Sequence, residues 1–259
     1  DIIDNSIAAD AGTVHVRFFP VDDPYLAIID DGCGMDDEEI TQAMQYGSTN
    51  PLEERSRKDL GRFGLGLKTA SLSQCRQLTV VSKTGSHLVG RRWDIDHVHY
   101  TGKWSLIVLS EEEIRQLDCI ETLLSFPSGT MVLWKKLDRM QKGEVNFINS
   151  MGDRMEEVGK HLSLVYHRYI SGEPGIKKLA VYMNDEKLPA ADPFLQKRSY
   201  QAMADETYIL HGEKITIRPF ILPHISKLTV KEIAALGGKD GLRKQQGFYI
   251  YRNKRLLVW

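Results

Sequence analysis

Four short motifs stand in a fixed order along the first half of the chain, and together they constrain its fold more than any other feature. They are Asn5 on a predicted helix, D-x-G-x-G at Asp30, Gly32 and Gly34, G-x-x-G-x-G at Gly61, Gly64 and Gly66, and Gly129-Thr130 at the start of a predicted strand. Each motif alone is as consistent with a tight turn as with a binding site, because glycine serves both. Their order and spacing favour a shared functional role.

The sequence around these motifs predicts a mixture of helices and strands. Apolar spacing predicts a helix at the start of the chain, then strands over 13–19, 25–30, 77–83, 87–93, 104–109 and 129–135. Ser110 and Glu113 form a capping box before a short helix. The polar stretch 47–62 predicts a mobile lid. His97 and His99 flank Val98 on a predicted strand and are interpreted as ordinary histidines rather than zinc ligands.

The second half of the chain predicts a separate domain. A helix over 144–170 is followed by a hairpin over 178–188, a strand over 213–220, a helix over 229–238 and a strand-turn-strand over 247–259. The charge changes as well. Residues 1–153 hold 16 Lys+Arg against 24 Asp+Glu, a net −8, and residues 154–259 hold 18 against 11, a net +7. These changes predict two domains, 1–142 and 143–259.

The composition favours an intracellular protein. No run of about eighteen uncharged apolar residues occurs, and the opening DIIDNS lacks the pattern of a signal peptide. Cys33, Cys75 and Cys119 show no C-x-x-C spacing, so neither a disulfide framework nor a zinc knuckle is predicted. We therefore expect a soluble, cytoplasmic protein with no membrane partner. Because the chain opens without Met inside a predicted helix, further residues are expected to precede Asp1.

With these motifs in this order, the chain resembles the GHKL superfamily of gyrase, heat-shock-chaperone, histidine-kinase and MutL ATPases. The resemblance covers essentially the whole chain. It implies an α+β fold, in which a Bergerat-type α/β sandwich binds the nucleotide and a smaller S5-like α/β transducer domain follows. It implies that Asn5 ligates Mg²⁺ and that Asp30 accepts a hydrogen bond from the adenine amino group of ATP. Gly32 and Gly34, with the adjoining Met35, are implied to let the chain approach the base.

The third motif, GRFGLGLK over 61–68, is implied by the resemblance to wrap the phosphates of ATP. Backbone N–H groups at a helix N-terminus are favourable partners for negative charge, and the basic residues of this stretch add cations. The candidate phosphate-binding residues are Arg62, Gly64, Gly66, Leu67 and Lys68. The hydroxyl of Thr130 is implied to support Asp30 and the base.

Within the superfamily, the chain resembles the MutL and MORC branch. The gap of 25 residues from Asn5 to Asp30 suits that branch, and the ending YIYRNKRLL resembles the strand-turn-strand of the transducer domain. In that domain a lysine reaches the terminal phosphate. The candidates are Lys254 and Arg255, or a lysine beyond Trp259.

The start of the chain departs from the family pattern. Family hydrolases place a Glu one helical turn before the Asn, where its carboxylate activates the attacking water, and here that position is Asp1. Aspartate is one methylene shorter and reaches about 1.5 Å less far, so slow hydrolysis is expected. The Asp that normally follows the Asn by one turn is also displaced, since Ala8 and Ala9 precede Asp10.

Three function classes follow from this interpretation. The first is an Mg-ATPase that homodimerises on binding ATP and acts as a clamp on DNA or a partner protein through its basic second domain. The second is a histidine-kinase-type phosphotransferase, which the transducer-like second half argues against. The third is an ATP-binding switch without significant hydrolysis, which the Asp at the base position keeps open.

Overall fold

The computed structural model of the protein describes residues 1–45, 66–196, 198, 204–236 and 246–259. These residues divide into two compact units. The first contains Asp1–Gly159 and Tyr169–Leu188, and the second contains Lys160–Arg168 and Pro189–Trp259. The predicted boundary between residues 142 and 143 stays a prediction. Within the described ranges, no helix is both long enough and apolar enough to cross a bilayer.

The first unit is built on a large sheet. Its strands are β1 (Thr13–Phe19), β2 (Tyr25–Asp30), β3 (Gln77–Thr84), β4 (His87–Asp94), β5 (Ile107–Leu109), β6 (Ser128–Lys135), β7 (Ala180–Met183) and β8 (Glu186–Lys187). They are arranged in the order β5-β4-β3-β6-β2-β1-β7-β8. All neighbouring strands are antiparallel except β1 and β7, which run parallel. This mixed sheet confirms the predicted α+β class.

The described residues of both units also form α-helices. They are α1 (Ile2–Ala8), α2 (Asp37–Met44), α3 (Gly66–Leu72), α4 (Ile95–Thr101), α5 (Glu111–Arg115), α6 (Ile120–Leu124), α7 (Asp138–Gln141), α8 (Phe147–Val165), α9 (His167–Ser171) and α10 (Val230–Ala235). The predicted capping box of Ser110 and Glu113 is present at the start of α5. A second capping box, which was not predicted, begins α2 with Asp36 and Glu39.

A hydrophobic core fixes the central strands. Its fully buried members are Ala27, Ile29, Val81, Ile114, Leu123, Met131 and Leu133. They come from β2, β3, β6, α5 and α6, and burying each large side chain contributes about 1.5–3 kcal/mol relative to leaving it in water. At its end, β2 places Asp30 opposite Thr130 of β6. Two of the sequence motifs therefore lie side by side on rigid, well-packed strands.

The predicted strands over 13–19 and 25–30 are confirmed as β1 and β2, and those over 77–83, 87–93 and 129–135 are confirmed within one residue. The prediction of a strand around His97 and His99 is wrong, since both lie on α4. The Asp94 side chain accepts a hydrogen bond from the backbone amide of Asp96 at the start of the helix. Gly102 ends the helix in the left-handed conformation. Local capping therefore overrides the β-branched and aromatic composition of this segment.

The helix predicted over 144–170 divides into α8 and α9. The hairpin predicted over 178–188 is confirmed, and its turn residues Asn184 and Asp185 both have positive φ. Its first strand adds to the edge of the first unit's sheet, where Val14 pairs with Val181. Arg17 binds the Asp185 carboxylate through two hydrogen bonds, of 2.9 and 2.6 Å. This part of the second half of the sequence thus belongs to the first unit.

The second unit contains two small antiparallel hairpins. The first joins β9 (Glu206–Leu210) to β10 (Glu213–Ile217), and the second joins β11 (Ile250–Arg252) to β12 (Arg255–Val258). The strand predicted over 213–220 and the strand-turn-strand predicted over 247–259 are confirmed. Phe194 stacks on Phe220 at a ring distance of 4.5 Å and meets Tyr249 edge-on at 4.9 Å. These three rings are half-buried and pack against one another within the second unit.

Candidate functional site

The centre of the candidate site is the carboxylate of Asp30, which is only 6% exposed. Its Oδ2 accepts a hydrogen bond of 2.8 Å from the Ser6 hydroxyl, and its Oδ1 accepts one of 2.9 Å from the Gly32 amide. Burial raises the pKa of the Asp30 carboxyl above its usual value of 3.8, while hydrogen bonds from Ser6, Gly32 and Thr130 act in the opposite direction. The result is a buried acceptor held in a fixed orientation.

Helix α1 presents different residues to the core and to the outside. Ile2, Ile3 and Ser6 are buried, whereas Asp1 and Asn5 are exposed. Asp1 and Asn5 are four residues apart, so their side chains share one face of the helix. Sequence reasoning missed Ser6, although its spacing from Ile2 and Ile3 could have placed it on the buried face.

The loop after β2 packs tightly against its neighbours. A Cβ on Gly32 would lie 2.8 Å from the Ala9 Cβ and 2.9 Å from the Asp30 Oδ1. A Cβ on Gly34, which has φ +75°, would lie 2.3 Å from the Lys83 carbonyl oxygen. Contacts within the protein therefore require both glycines. The further role implied for these two glycines, to let the chain approach the adenine base, stays a prediction.

Ser82 on β3 joins the second motif to the fourth. Its hydroxyl accepts a hydrogen bond of 2.7 Å from the Met35 amide, donates one of 3.1 Å to the Gly129 carbonyl, and lies 3.3 Å from the Thr130 hydroxyl. A Cβ on Gly129 would lie 2.0 Å from the Asp30 carbonyl oxygen, so the backbones of the second and fourth motifs are in close contact here. Sequence reasoning missed Ser82, because only the pairing of β3 with β6 brings it to this position.

The described part of the third motif begins at Gly66, the first residue of α3; Gly61, Arg62 and Gly64 lie outside the described residues. A Cβ on Gly66 would lie 3.1 Å from the Asp1 Cβ, so the end of the third motif meets the start of α1. Leu67, the next residue, is half-buried.

Lys68 is buried, and its ammonium donates to the carbonyl oxygens of Ala43 and Gln45 at 3.0 and 2.6 Å. Burial lowers the pKa of Lys68 below its usual value of 10.5. These bonds give Lys68 a structural role, and its predicted contact with phosphate stays a prediction. Lys254 and Arg255 lie at the turn between β11 and β12 in the second unit.

The donor set around α1 fits a magnesium ion bound together with a phosphate chain. Asn5 offers an exposed amide oxygen, and Mg²⁺ typically takes one or two protein oxygens and completes its shell with water and substrate phosphates. Among the described residues, no cluster of three or more His, Cys, Asp or Glu side chains could hold a metal by itself.

Comparison with known proteins places these motifs in a family. Residues 1–130 match the family described as "Histidine kinase-, DNA gyrase B-, and HSP90-like ATPase". The chain belongs to this ATPase family. Membership of the family implies ATP binding.

Individual members of this ATPase family resemble the chain over shorter segments. The ATPase morc-1 of Caenorhabditis elegans is 32% identical over 84 residues, which is 32% of this chain and 10% of that protein. The DNA mismatch repair protein MutL of Pelotomaculum thermopropionicum is 29% identical over 107 residues, 40% of this chain and 17% of MutL. The mouse MORC family CW-type zinc finger protein 1 is 35% identical over 78 residues, 28% of this chain and 8% of that protein.

Among solved structures, the Aquifex aeolicus MutL ATPase domain complexed with ADP matches with a TM-score of 0.38 and 12% identity, over 74% of this chain and 61% of that one. The matched segments span less than a fifth of each curated relative. The predicted GHKL membership and the predicted likeness to MutL and MORC proteins are confirmed by the family and sequence matches.

Proposed function

We propose that this chain binds Mg-ATP, hydrolyses it slowly, and uses nucleotide binding to drive homodimerisation as a clamp or switch. The observation that carries the proposal is the buried Asp30 carboxylate, which Ser6 holds from the same helix that presents Asn5. A binding group for the base and a ligand for the metal are thereby fixed to one rigid element. Family membership supports ATP as the ligand.

Asp30 is the proposed adenine-reading residue. Each carboxylate oxygen has about two lone pairs, and the hydrogen bonds from Ser6, Gly32 and Thr130 use about three of these four. The remaining lone pair of the carboxylate can accept a hydrogen bond from the amino group at position 6 of adenine. Guanine carries a carbonyl oxygen at that position, and two acceptors facing each other in a buried site repel. We therefore expect a strong preference for ATP over GTP.

Asn5 is the proposed protein ligand of the Mg²⁺ that accompanies ATP. Its exposed position, one turn along α1 from Asp1, points the amide away from the core. Gly66 begins α3 against Asp1, so the last described glycine of the third motif adjoins the same face. When bound, the ion would neutralise phosphate charge, while the chain's residues orient the nucleotide.

Asp1 is the proposed general base for hydrolysis. Its position beside Gly66 supports this role, and its short side chain supports a slow rate. An ATP-binding switch without significant hydrolysis is the second candidate. It is favoured by the residue at the base position, because aspartate reaches about 1.5 Å less far than the glutamate of family hydrolases. Single-turnover measurements with radiolabelled ATP separate the two candidates, since only the first yields phosphate.

The proposed partners are a second copy of the chain and, through the basic second half, DNA or an acidic protein. The net charge of +7 over residues 154–259 supports such a partner. Light scattering with and without a non-hydrolysable ATP analogue tests dimerisation. A mass that does not change with the analogue would remove the clamp from the proposal and leave ATP binding in place.

The decisive experiment is calorimetric titration of Asp30→Ala with ATP. We expect affinity to fall at least about 100-fold, because no other side chain takes over a buried acceptor that recognises an amino group. The matched control is Asp31→Asn, which changes the adjacent carboxylate. It keeps a side-chain oxygen that can accept the hydrogen bonds of 2.7 Å which the Gly12 and Thr13 amides donate to Asp31. Circular dichroism confirms folding of both variants. Unchanged ATP affinity in a folded Asp30→Ala protein would refute adenine recognition by this residue.

A further inference from the structure

The C-terminal end of α2 is capped by side chains from two other elements. Helix ends leave their last carbonyl oxygens without intrahelical partners, and Gln45, the C-cap residue of α2, is extended rather than left-handed. The carbonyl oxygens of Ala43 and Gln45 accept hydrogen bonds from the Lys68 ammonium at 3.0 and 2.6 Å. The Met44 carbonyl oxygen between them accepts one of 2.8 Å from the Trp93 indole. Three successive carbonyl groups are thus satisfied from α3 and β4.

The charge of Lys68 suits this position. The C-terminal end of a helix carries partial negative charge, so a cation there is stabilising, and the last turn of α2 contains no basic residue of its own. The Lys68 side chain is only 2% exposed and lies in the first turn of α3. Its ammonium therefore ties α3 to α2 from a buried position.

We infer that Lys68 is a positioning residue: its ammonium caps α2 and thereby holds α3, so that Gly66 stays packed against Asp1, and it does not itself bind phosphate. The assignment differs from the one that the sequence motif implies. An ammonium has three donors, and two of them are directed to the carbonyl oxygens of α2. Because Lys68 is only 2% exposed, moving its ammonium out to a phosphate would pull it away from these two carbonyl oxygens at the end of α2, which is unfavourable. The consequence for ATP rests on the proposed function.

The position of α3 matters for the site because of what its first residue touches. A Cβ on Gly66 would come within 3.1–3.2 Å of the Asp1 side chain, so any shift of α3 changes the surroundings of the proposed base. Lys68 stands two residues further along the same helix. Its bonds to α2 therefore hold the first turn of α3, and with it Gly66, in place.

Amine footprinting of the unmodified protein tests the inference directly. Acetylation by an amine-reactive ester, read by mass spectrometry with and without Mg-ATP, compares Lys68 with the exposed Lys103 as an internal standard. A buried cap predicts that Lys68 is at least about tenfold less reactive than Lys103 in both states. A phosphate ligand predicts a reactive Lys68 that ATP protects. That second result would overturn the inference.

Two variants test the consequence. Lys68→Met keeps the length of the side chain but removes its donors, and Lys83→Met is the matched control, because the Lys83 ammonium likewise caps α6 through the carbonyl oxygens of Leu124 and Phe126. Loss of either cap is expected to lower Tm by roughly 2–8 °C. Only Lys68→Met is expected to accelerate hydrogen exchange in α3, and to weaken ATP and ADP binding by the same factor.

The results separate this inference from the proposed function. Unchanged exchange in α3 of Lys68→Met would contradict the positioning role, as would a loss of affinity for ATP alone. Absence of ATP binding by the wild-type protein would overturn the proposed function, while an unreactive Lys68 would still support the cap on α2. If Lys68→Met does not fold, footprinting of the wild-type chain decides the question.

Discussion

The hydrogen bond from Ser6 to Asp30 has a measurable value in the free energy of unfolding. In Ser6→Ala, the Oδ2 of a carboxylate that is 6% exposed loses a donor at 2.8 Å. Hydrogen bonds to charged groups contribute about 1.5–3 kcal/mol, and the better helix propensity of alanine returns about 0.5 kcal/mol. We therefore expect Ser6→Ala to lower the free energy of unfolding by about 1–2.5 kcal/mol at pH 7.

The loss should depend on pH in a defined direction. The bond from Ser6 lowers the pKa of Asp30 in the folded protein, so its removal raises a pKa that burial has already raised. A higher folded-state pKa means that ionisation of Asp30 opposes folding more strongly. Relative to wild type, the extra cost is fully present above the folded-state pKa of Asp30 in Ser6→Ala and disappears below its folded-state pKa in the wild-type protein. The deficit of Ser6→Ala should shrink as the pH falls from 7 towards 4.

Urea unfolding at a series of pH values measures this deficit. The matched control is Ser73→Ala, which also removes a hydroxyl. The Ser73 side chain is exposed, and its hydroxyl donates to the Ala70 carbonyl oxygen at 2.7 Å and accepts from the exposed Gln74 side-chain amide at 3.0 Å, so it touches no buried charge. We expect the control to change the free energy of unfolding by about 0.5 kcal/mol or less at every pH. Equal deficits in the two variants at pH 7, or a Ser6→Ala deficit that does not vary with pH, would refute the reasoning.

Three further predictions concern residues around the same carboxylate. Asn5→Ala should lose the magnesium-dependent part of ATP affinity, measured by titration with and without Mg²⁺; an equal magnesium response in both proteins would place the ion elsewhere. Asp1→Asn should eliminate residual hydrolysis with ATP affinity little changed, while Asp1→Glu should hold or raise the single-turnover rate by restoring reach; unchanged turnover in Asp1→Asn would exclude the general-base role. Gly129→Ala should lower the free energy of unfolding by about 2–5 kcal/mol, because its Cβ would lie 2.0 Å from a carbonyl oxygen. Gly85→Ala, at φ +61° with open space around it, should cost only about 1–2 kcal/mol in the same urea titration, and equal losses would contradict the steric argument.

Much of the local structure could be predicted because it depends on neighbours in sequence. The alternating run of β1, the apolar run of β2 and the capping box of α5 each have a local physical cause. The segment containing His97 shows the limit of that approach. Its composition suits a strand, but the caps at Asp94 and Gly102 stabilise a helix.

The candidate site was predictable in part. Asp30 could be proposed as a site residue from the motif that follows β2, and Asn5 from its position on the first helix. The partners of Asp30 were harder to identify, because Ser6 is 24 residues away in sequence and Ser82 acts through a strand pairing. A hydrogen bond between distant residues leaves no periodic pattern in the sequence.

By itself, the sequence determined the order of the motifs, the strands that carry them and the membership of an ATPase family. Only the tertiary structure decided that the 180–187 hairpin joins the first sheet beside β1, and that the Lys68 ammonium caps α2. The physical reason is that propensity and periodicity act over a few residues. Strand addition and helix capping by a distant side chain depend instead on which unpaired backbone groups the fold brings within hydrogen-bonding distance.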